Sequence, residues 1–100
     1  MEFQKQFHKS VITAVIVGIK EAQVTAIAED RPLVLAKAMF TAANTLGNLD
    51  WSDEEDVFDA TKLADEIGYD LESNGYSGRA ARMTKKLAED LQKIVDSITV

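Results

Sequence analysis

The chain contains one dominant apolar stretch, Val11-Ile12-Thr13-Ala14-Val15-Ile16-Val17-Gly18-Ile19, and it decides the fold class. Its β-branched residues favour a strand, but its apolar residues do not alternate with polar ones as in a half-buried strand. No proline interrupts residues 2–30, and Gly18 is the only glycine there. These features predict one long helix over residues 3–29.

An apolar stripe runs along one side of this predicted helix at 100° per residue. Its members are Phe3, Phe7, Val11, Ala14, Val15, Gly18, Ala22 and Ala26. Lys9 and Lys20 lie on the opposite side, but Ile16 falls among them and Val17 lies at their edge. A helix that is apolar nearly all round is usually central in its bundle or buried by a second chain. We therefore predict a homodimer with Ile16 and Val17 in its interface.

A second helix is predicted over residues 32–46, after the break at Asp30-Arg31-Pro32. Asp30 is a candidate cap, and proline suits the first turn of a helix. This helix is rich in alanine and ends at Gly47. Its small side chains would allow close approach to the first helix.

Two more helices follow, each with a recognisable start. Ser52 and Glu55 form a capping box that opens a helix over 53–72, with Gly68 as an earlier possible end. Asn74-Gly75 is a terminator, and Ser77 is the expected cap of a last helix over 78–97.

The composition fits one soluble helical domain over residues 1–100. The chain is 46% hydrophobic and 28% charged, with one proline and no cysteine. The lack of cysteine excludes disulfides and thiolate metal sites, and it fits a reducing compartment. The predicted fold class is therefore all-α, a four-helix bundle-like single domain with short loops.

The apolar stretch also has some features of a targeting segment. Lys5 and Lys9 precede it, and Val24-Thr25-Ala26 has the small residues of a cleavage site. However, Lys20-Glu21 follows directly, and nine apolar residues are too few to span a bilayer. We expect a structural helix in a cytoplasmic protein with no membrane contact.

Charge is concentrated in one segment of the chain. Residues 50–72 carry a net charge of −9, whereas 1–49 carry +1 and 73–100 carry +2. A negative helix with neighbouring aromatic residues favours a protein partner with a basic surface, although most charged runs are simply solvated faces. The predicted partner-binding residues are Trp51, Asp53, Glu54, Asp56, Asp59, Asp65, Glu66 and Tyr69.

A basic cluster at the start of the last helix supports an alternative, a DNA- or RNA-binding regulator. Its residues are Arg79, Arg82, Lys85 and Lys86. The preceding Gly75-Tyr76-Ser77-Gly78 resembles a phosphate-holding loop, and residues 63–86 weakly resemble a helix-turn-helix with an overlong turn. The competing interpretation is that the cluster pairs with acids of the preceding helix. Nucleic acid is the less expected partner, because the acidic segment repels it.

Enzymatic activity and metal or cofactor binding are not expected. His8 is the only histidine, and no nucleophile–base pair or nucleotide-binding motif is present. Asp50, Ser52 and Glu54 have the spacing of a calcium loop, but Glu55 stands where that loop needs glycine. We predict a small non-enzymatic interaction protein, and by class analogy alone an inhibitor or regulator of a nucleic-acid-handling protein, of the kind that phages and plasmids encode.

Overall fold

Four α-helices make up the computed structural model, which describes residues 2–49 and 55–98, and the side chains of 5–49 and 57–98. They are α1 (Glu2–Glu29), α2 (Pro32–Gly47), α3 (Glu55–Asn74) and α4 (Gly78–Ser97). These ranges contain no strand. The predicted all-α, four-helix bundle-like fold is confirmed, and α3 continues past Gly68. The predicted capping box at Ser52 lies outside the described residues.

The helices pack as a ring in which each contacts two others. α1 packs on α2 and α4, and α3 packs on the same two helices. Within the described ranges, the backbones of α1 and α3 do not approach each other, so these helices occupy opposite corners. The 28 residues of α1 span about 42 Å at 1.5 Å per residue. This length matches the 43 Å long dimension of the molecule, so α1 runs from one end to the other.

The junction between α1 and α2 differs from its prediction. Asp30 does not cap α2 but ends α1 in the left-handed conformation, with φ of 51°. The N–H of Arg31 donates to the carbonyl of Ala26 at 3.0 Å, as in a helix C-terminal motif. Arg31 is the N-cap of α2, without a side-chain hydrogen bond. The predicted Asp30 cap is wrong, because the turn uses this residue to end the preceding helix.

The junction between α3 and α4 follows its prediction. Gly75 has φ of 70°, and its N–H donates to the Leu71 carbonyl at 3.0 Å. Ser77 caps α4, where its Oγ accepts a hydrogen bond from the Ala80 N–H at 3.1 Å. Between them, the Tyr76 hydroxyl is 2.7 Å from Gln23 Nε2, which donates to it and ties this turn to α1.

The buried face of α1 is not the predicted apolar stripe. Ile12, Ile16 and Ile19 are the large side chains that α1 places in the core, and Ile16 is only 4% exposed. This face is rotated by roughly 90° from the predicted one, at 100° per residue. The predicted outward position of Ile16 is therefore wrong: isoleucine removes more apolar area from water than alanine or glycine, so the isoleucines face the other helices.

Val17 keeps its predicted exposure and stays a predicted interface residue. It is 49% exposed on the outside of α1, next to the buried Ile16. The homodimer was predicted partly because Ile16 was expected to face outward, and its burial removes that reason. A dimer that involves α1 must use residues other than Ile16.

Candidate interaction surfaces

The acidic face of α3 points into solvent, on the side opposite its core residues. Asp59, Asp65, Glu66 and Tyr69 are all exposed there. The core side of this helix consists of Val57, Ala60, Ala64, Ile67 and Leu71. The structure therefore brings four predicted partner-binding residues onto one accessible surface, which we call the α3 face.

Four other predicted partner-binding residues cannot be placed on this surface. Trp51, Asp53 and Glu54 lie outside the described residues. Asp56 belongs to α3, but its side chain also lies outside the described part of the chain.

Two exposed aromatic side chains belong to the α3 face, and sequence reasoning identified only one. Phe58 and Tyr69 are each 63% exposed. Lys62 Nζ lies 5.4 Å from the centre of the Phe58 ring, a cation–π distance. Helical periodicity could have found Phe58, because at 100° per residue it falls on the side of the helix opposite Ala60 and Ile67.

The Tyr69 ring is held in place by α2. Its centre lies 5.1 Å from that of Phe40, in an edge-to-face arrangement with an interplanar angle of 69°. Phe40 in turn lies directly over Gly68: a Cβ at that glycine would be 2.7 Å from Phe40 Cε1. The glycine thus allows Phe40 to approach α3 and support Tyr69 from one side.

Two residues of the basic cluster of α4 form ion pairs with acidic residues of the same chain. Arg79 Nη1 lies 3.9 Å from Asp70 Oδ1 of α3, and Lys86 Nζ lies 2.7 Å from Asp90 Oδ2. The hydrogen bond to Asp90 raises the pKa of Lys86 above its ordinary 10.5, with nearby Asp59 adding to the effect. Arg82 and Lys85 are exposed, and no ion pair within the described ranges involves them.

A polar cavity of about 390 Å³ lies between α3 and α4 beside this cluster. Asp59, Lys86, Asp90 and Lys93 all line it. Both signs of charge meet here, so the cavity does not select strongly for an anion or a cation. Asp59 of the α3 face therefore lies beside the lysines of α4.

A second surface, the α1–α2 groove, was not foreseen as a surface at all. It is open, nearly all apolar, and has a volume of about 580 Å³. From α1 come Val11, Ala14, Val15, Gly18 and Ala22. From α2 come Val34, Ala38, Thr41 and Thr45, with Lys37 at its edge. These α1 residues all belong to the apolar stripe identified in the sequence.

The exposure of α1 raises the question of a membrane. The helical segment Lys5–Glu29 is long and apolar enough to cross a membrane, by length and composition. An 18-residue stretch within it has a mean hydropathy of 1.6, and 22% of that stretch is buried in the bundle. A core helix and a signal sequence pass the same test. Lys20 would lie near the middle of such a span, where a lysine costs about 2.5–3.5 kcal/mol. The isoleucines that contribute to the core would also have to leave it.

No group of three or more metal-ligating side chains occurs among the described residues. His8 is 7% exposed, and its ring centre lies 6.1 Å from that of Phe7.

The fold and these surfaces define a small all-α domain with one acidic face and one apolar groove. No family model, curated protein or solved structure matches the chain. The two surfaces are therefore the features of this chain that point to a function.

Proposed function

We propose that the chain is a small, cytoplasmic, non-enzymatic interaction module that binds a basic protein partner through the α3 face. In its most specific form, the proposal makes it a regulator or inhibitor of a nucleic-acid-handling protein, since such proteins carry basic surfaces. One observation supports it most: Phe58 and Tyr69 are 63% exposed on the same helix face as Asp65 and Glu66.

This arrangement suits recognition because each kind of residue supplies a different part of binding. Aromatic side chains give large contact area and are enriched among the residues that dominate binding energy. Carboxylates speed association with a basic surface and lower the affinity for acidic partners. Because Phe40 already positions Tyr69, less side-chain freedom is lost when a partner covers that ring.

A charge-reversal experiment tests the proposal. The variant Asp59→Lys, Asp65→Lys, Glu66→Lys is compared with a control, Glu29→Lys, Glu89→Lys, Asp96→Lys. Both sets replace exposed acids and bring the net charge from −6 to zero, but the control residues lie on α1 and α4.

The measurement is quantitative mass spectrometry of proteins captured from lysate of the native organism at low and at moderate salt. We expect the wild-type chain and the control to capture the same basic protein, with less at higher salt. The α3 variant should lose it. Equal capture by both variants would show that net charge or another surface is responsible, and the proposal would be wrong.

Nucleic-acid binding by α4 remains the alternative, and no observation favours it. The pairing of Arg79 with Asp70 and of Lys86 with Asp90 leaves less free positive charge for phosphates. A gel-shift titration with DNA and RNA at low salt tests it directly. A shift that disappears on replacing Arg82 and Lys85 by glutamine would favour this alternative over the α3 face.

A further inference from the structure

We propose that the α1–α2 groove is the interface of a symmetric homodimer, in which α1 of each chain lies antiparallel in the groove of the other. This inference is independent of the proposed function of the α3 face. It concerns a different helix and a different chemistry.

The groove has the composition of an interface centre. On α1 the groove is lined by residues that include Val11, Ala14, Val15, Gly18 and Ala22, and Phe7 lies one turn earlier on the same side. None of these six residues is charged. Phe7 is 55% exposed, and a Cβ placed at Gly18 would meet nothing within 4 Å. Depletion of charge at the centre distinguishes interfaces from ordinary surface. Small residues also let a second helix come close.

The stripe is complementary to itself when two copies run antiparallel. With the two-fold axis between Ala14 and Val15, Phe7 of each chain lies opposite Ala22 of the other. In the same register Val11 lies opposite Gly18. These two pairs each place a large side chain opposite a small one, and Ala14 and Val15 lie at the axis. A two-fold interface requires this kind of self-complementarity.

The molecule exposes more surface than a monomer of its mass usually does. The chain exposes 6265 Å². A monomeric globular protein of 11.0 kDa is expected to expose about 5,600 Å². The excess is comparable to the roughly 800 Å² that each partner buries in a standard interface.

Single charge insertions on neighbouring residues test the interface by sedimentation at about 50 µM, a concentration chosen from ordinary dimer affinities. Gly18→Glu places a carboxylate in the groove, where the monomer has room for it, and glutamate favours helix more than glycine does. Val17→Glu is the matched control, on the same helix but about 100° away. Circular dichroism checks that both variants stay helical.

The proposed interface excludes Val17, unlike the one predicted from sequence. We therefore expect the wild-type chain and Val17→Glu to sediment as dimers and Gly18→Glu as a monomer. A wild-type monomer overturns the proposal, as does a dimeric Gly18→Glu. Loss of the dimer in Val17→Glu also overturns it, because the interface would then lie where Val17 was predicted to be.

Cysteine cross-linking tests the register, since the chain has no cysteine of its own. Ala14→Cys lies beside the proposed axis and should form a covalent dimer on oxidation. Thr13→Cys, exposed and next in sequence, should stay monomeric. Equal cross-linking of the two overturns the register. Flotation of the wild-type chain, but not of Gly18→Glu, with vesicles of phosphatidylcholine and phosphatidylglycerol would assign the groove to lipid and overturn the proposal.

Discussion

Gly68 shows how one residue links packing to the α3 face. It lies in the interior of α3, where glycine is unfavourable by about 1 kcal/mol relative to alanine. The close approach of the Phe40 ring, which would lie 2.7 Å from a Cβ, accounts for its presence. The same ring contacts Tyr69 at the surface. Gly68 lets Phe40 pack against α3, and it thereby also affects where the exposed Tyr69 ring lies.

We expect Gly68→Ala to lower the free energy of unfolding by about 1 kcal/mol, since the strain of overpacking exceeds the gain in helix propensity. In a Phe40→Ala background the clash is gone, and the same change should instead stabilise by about 0.5–1 kcal/mol. Urea unfolding of the four proteins measures this coupling. If Gly68→Ala had the same sign in both backgrounds, the contact with Phe40 would not explain the glycine.

At the scale of the helix, the two left-handed turns that end α1 and α3 can be compared directly. Gly75 adopts φ of 70° without a side chain, whereas Asp30 adopts φ of 51° with one. Asp30 also places negative charge at the negative end of the dipole of α1. Because of both features, the C-terminal turn of α1 is less stable than that of α3.

Asp30→Gly should therefore raise the free energy of unfolding by about 0.5–1 kcal/mol, and Asp30→Asn by less, because only the charge is removed. Gly75→Ala is the reverse change and should lower it by about 1 kcal/mol. Thermal and urea unfolding measure all three. A destabilising Asp30→Gly would indicate that the aspartate side chain makes a compensating contact.

The helices themselves could be predicted from sequence, but the orientation of α1 could not. Start and stop residues such as Pro32, Ser77 and Gly75 act locally, so their effects are visible in a short stretch of sequence. The face that α1 buries depends on α2 and α4, which offer space for isoleucine on one side. Because α1 is apolar nearly all round, its sequence does not indicate which face is buried.

The candidate surfaces were predictable to different degrees for the same reason. Charged residues such as Asp65 and Glu66 were expected to be exposed, and they are. The α1–α2 groove was missed because Ala14 and Gly18 resemble residues of a helix contact. They also suit that role in the proposed dimer, where the contact is with a second chain.

At the scale of the whole molecule, the proposed dimer links stability to concentration. Association stabilises the folded state by mass action. For the wild-type chain, we expect Tm to rise by about 5 °C when the protein concentration is raised a hundredfold within the dimeric range. Scanning calorimetry or circular dichroism measures it. Gly18→Glu should show a constant Tm, and a concentration-independent wild-type Tm would contradict the dimer.

The diagonal placement of α1 and α3 has a consequence for how strongly a partner is held. Because α3 lies diagonally across the bundle from α1, we expect a dimer joined at the α1–α2 groove to leave both α3 faces open to solvent. Such an assembly is bivalent. A partner that presents two basic patches, or that is itself a dimer, would bind the second face at a high effective concentration once the first is engaged. Weak individual contacts would then add up to a long-lived complex.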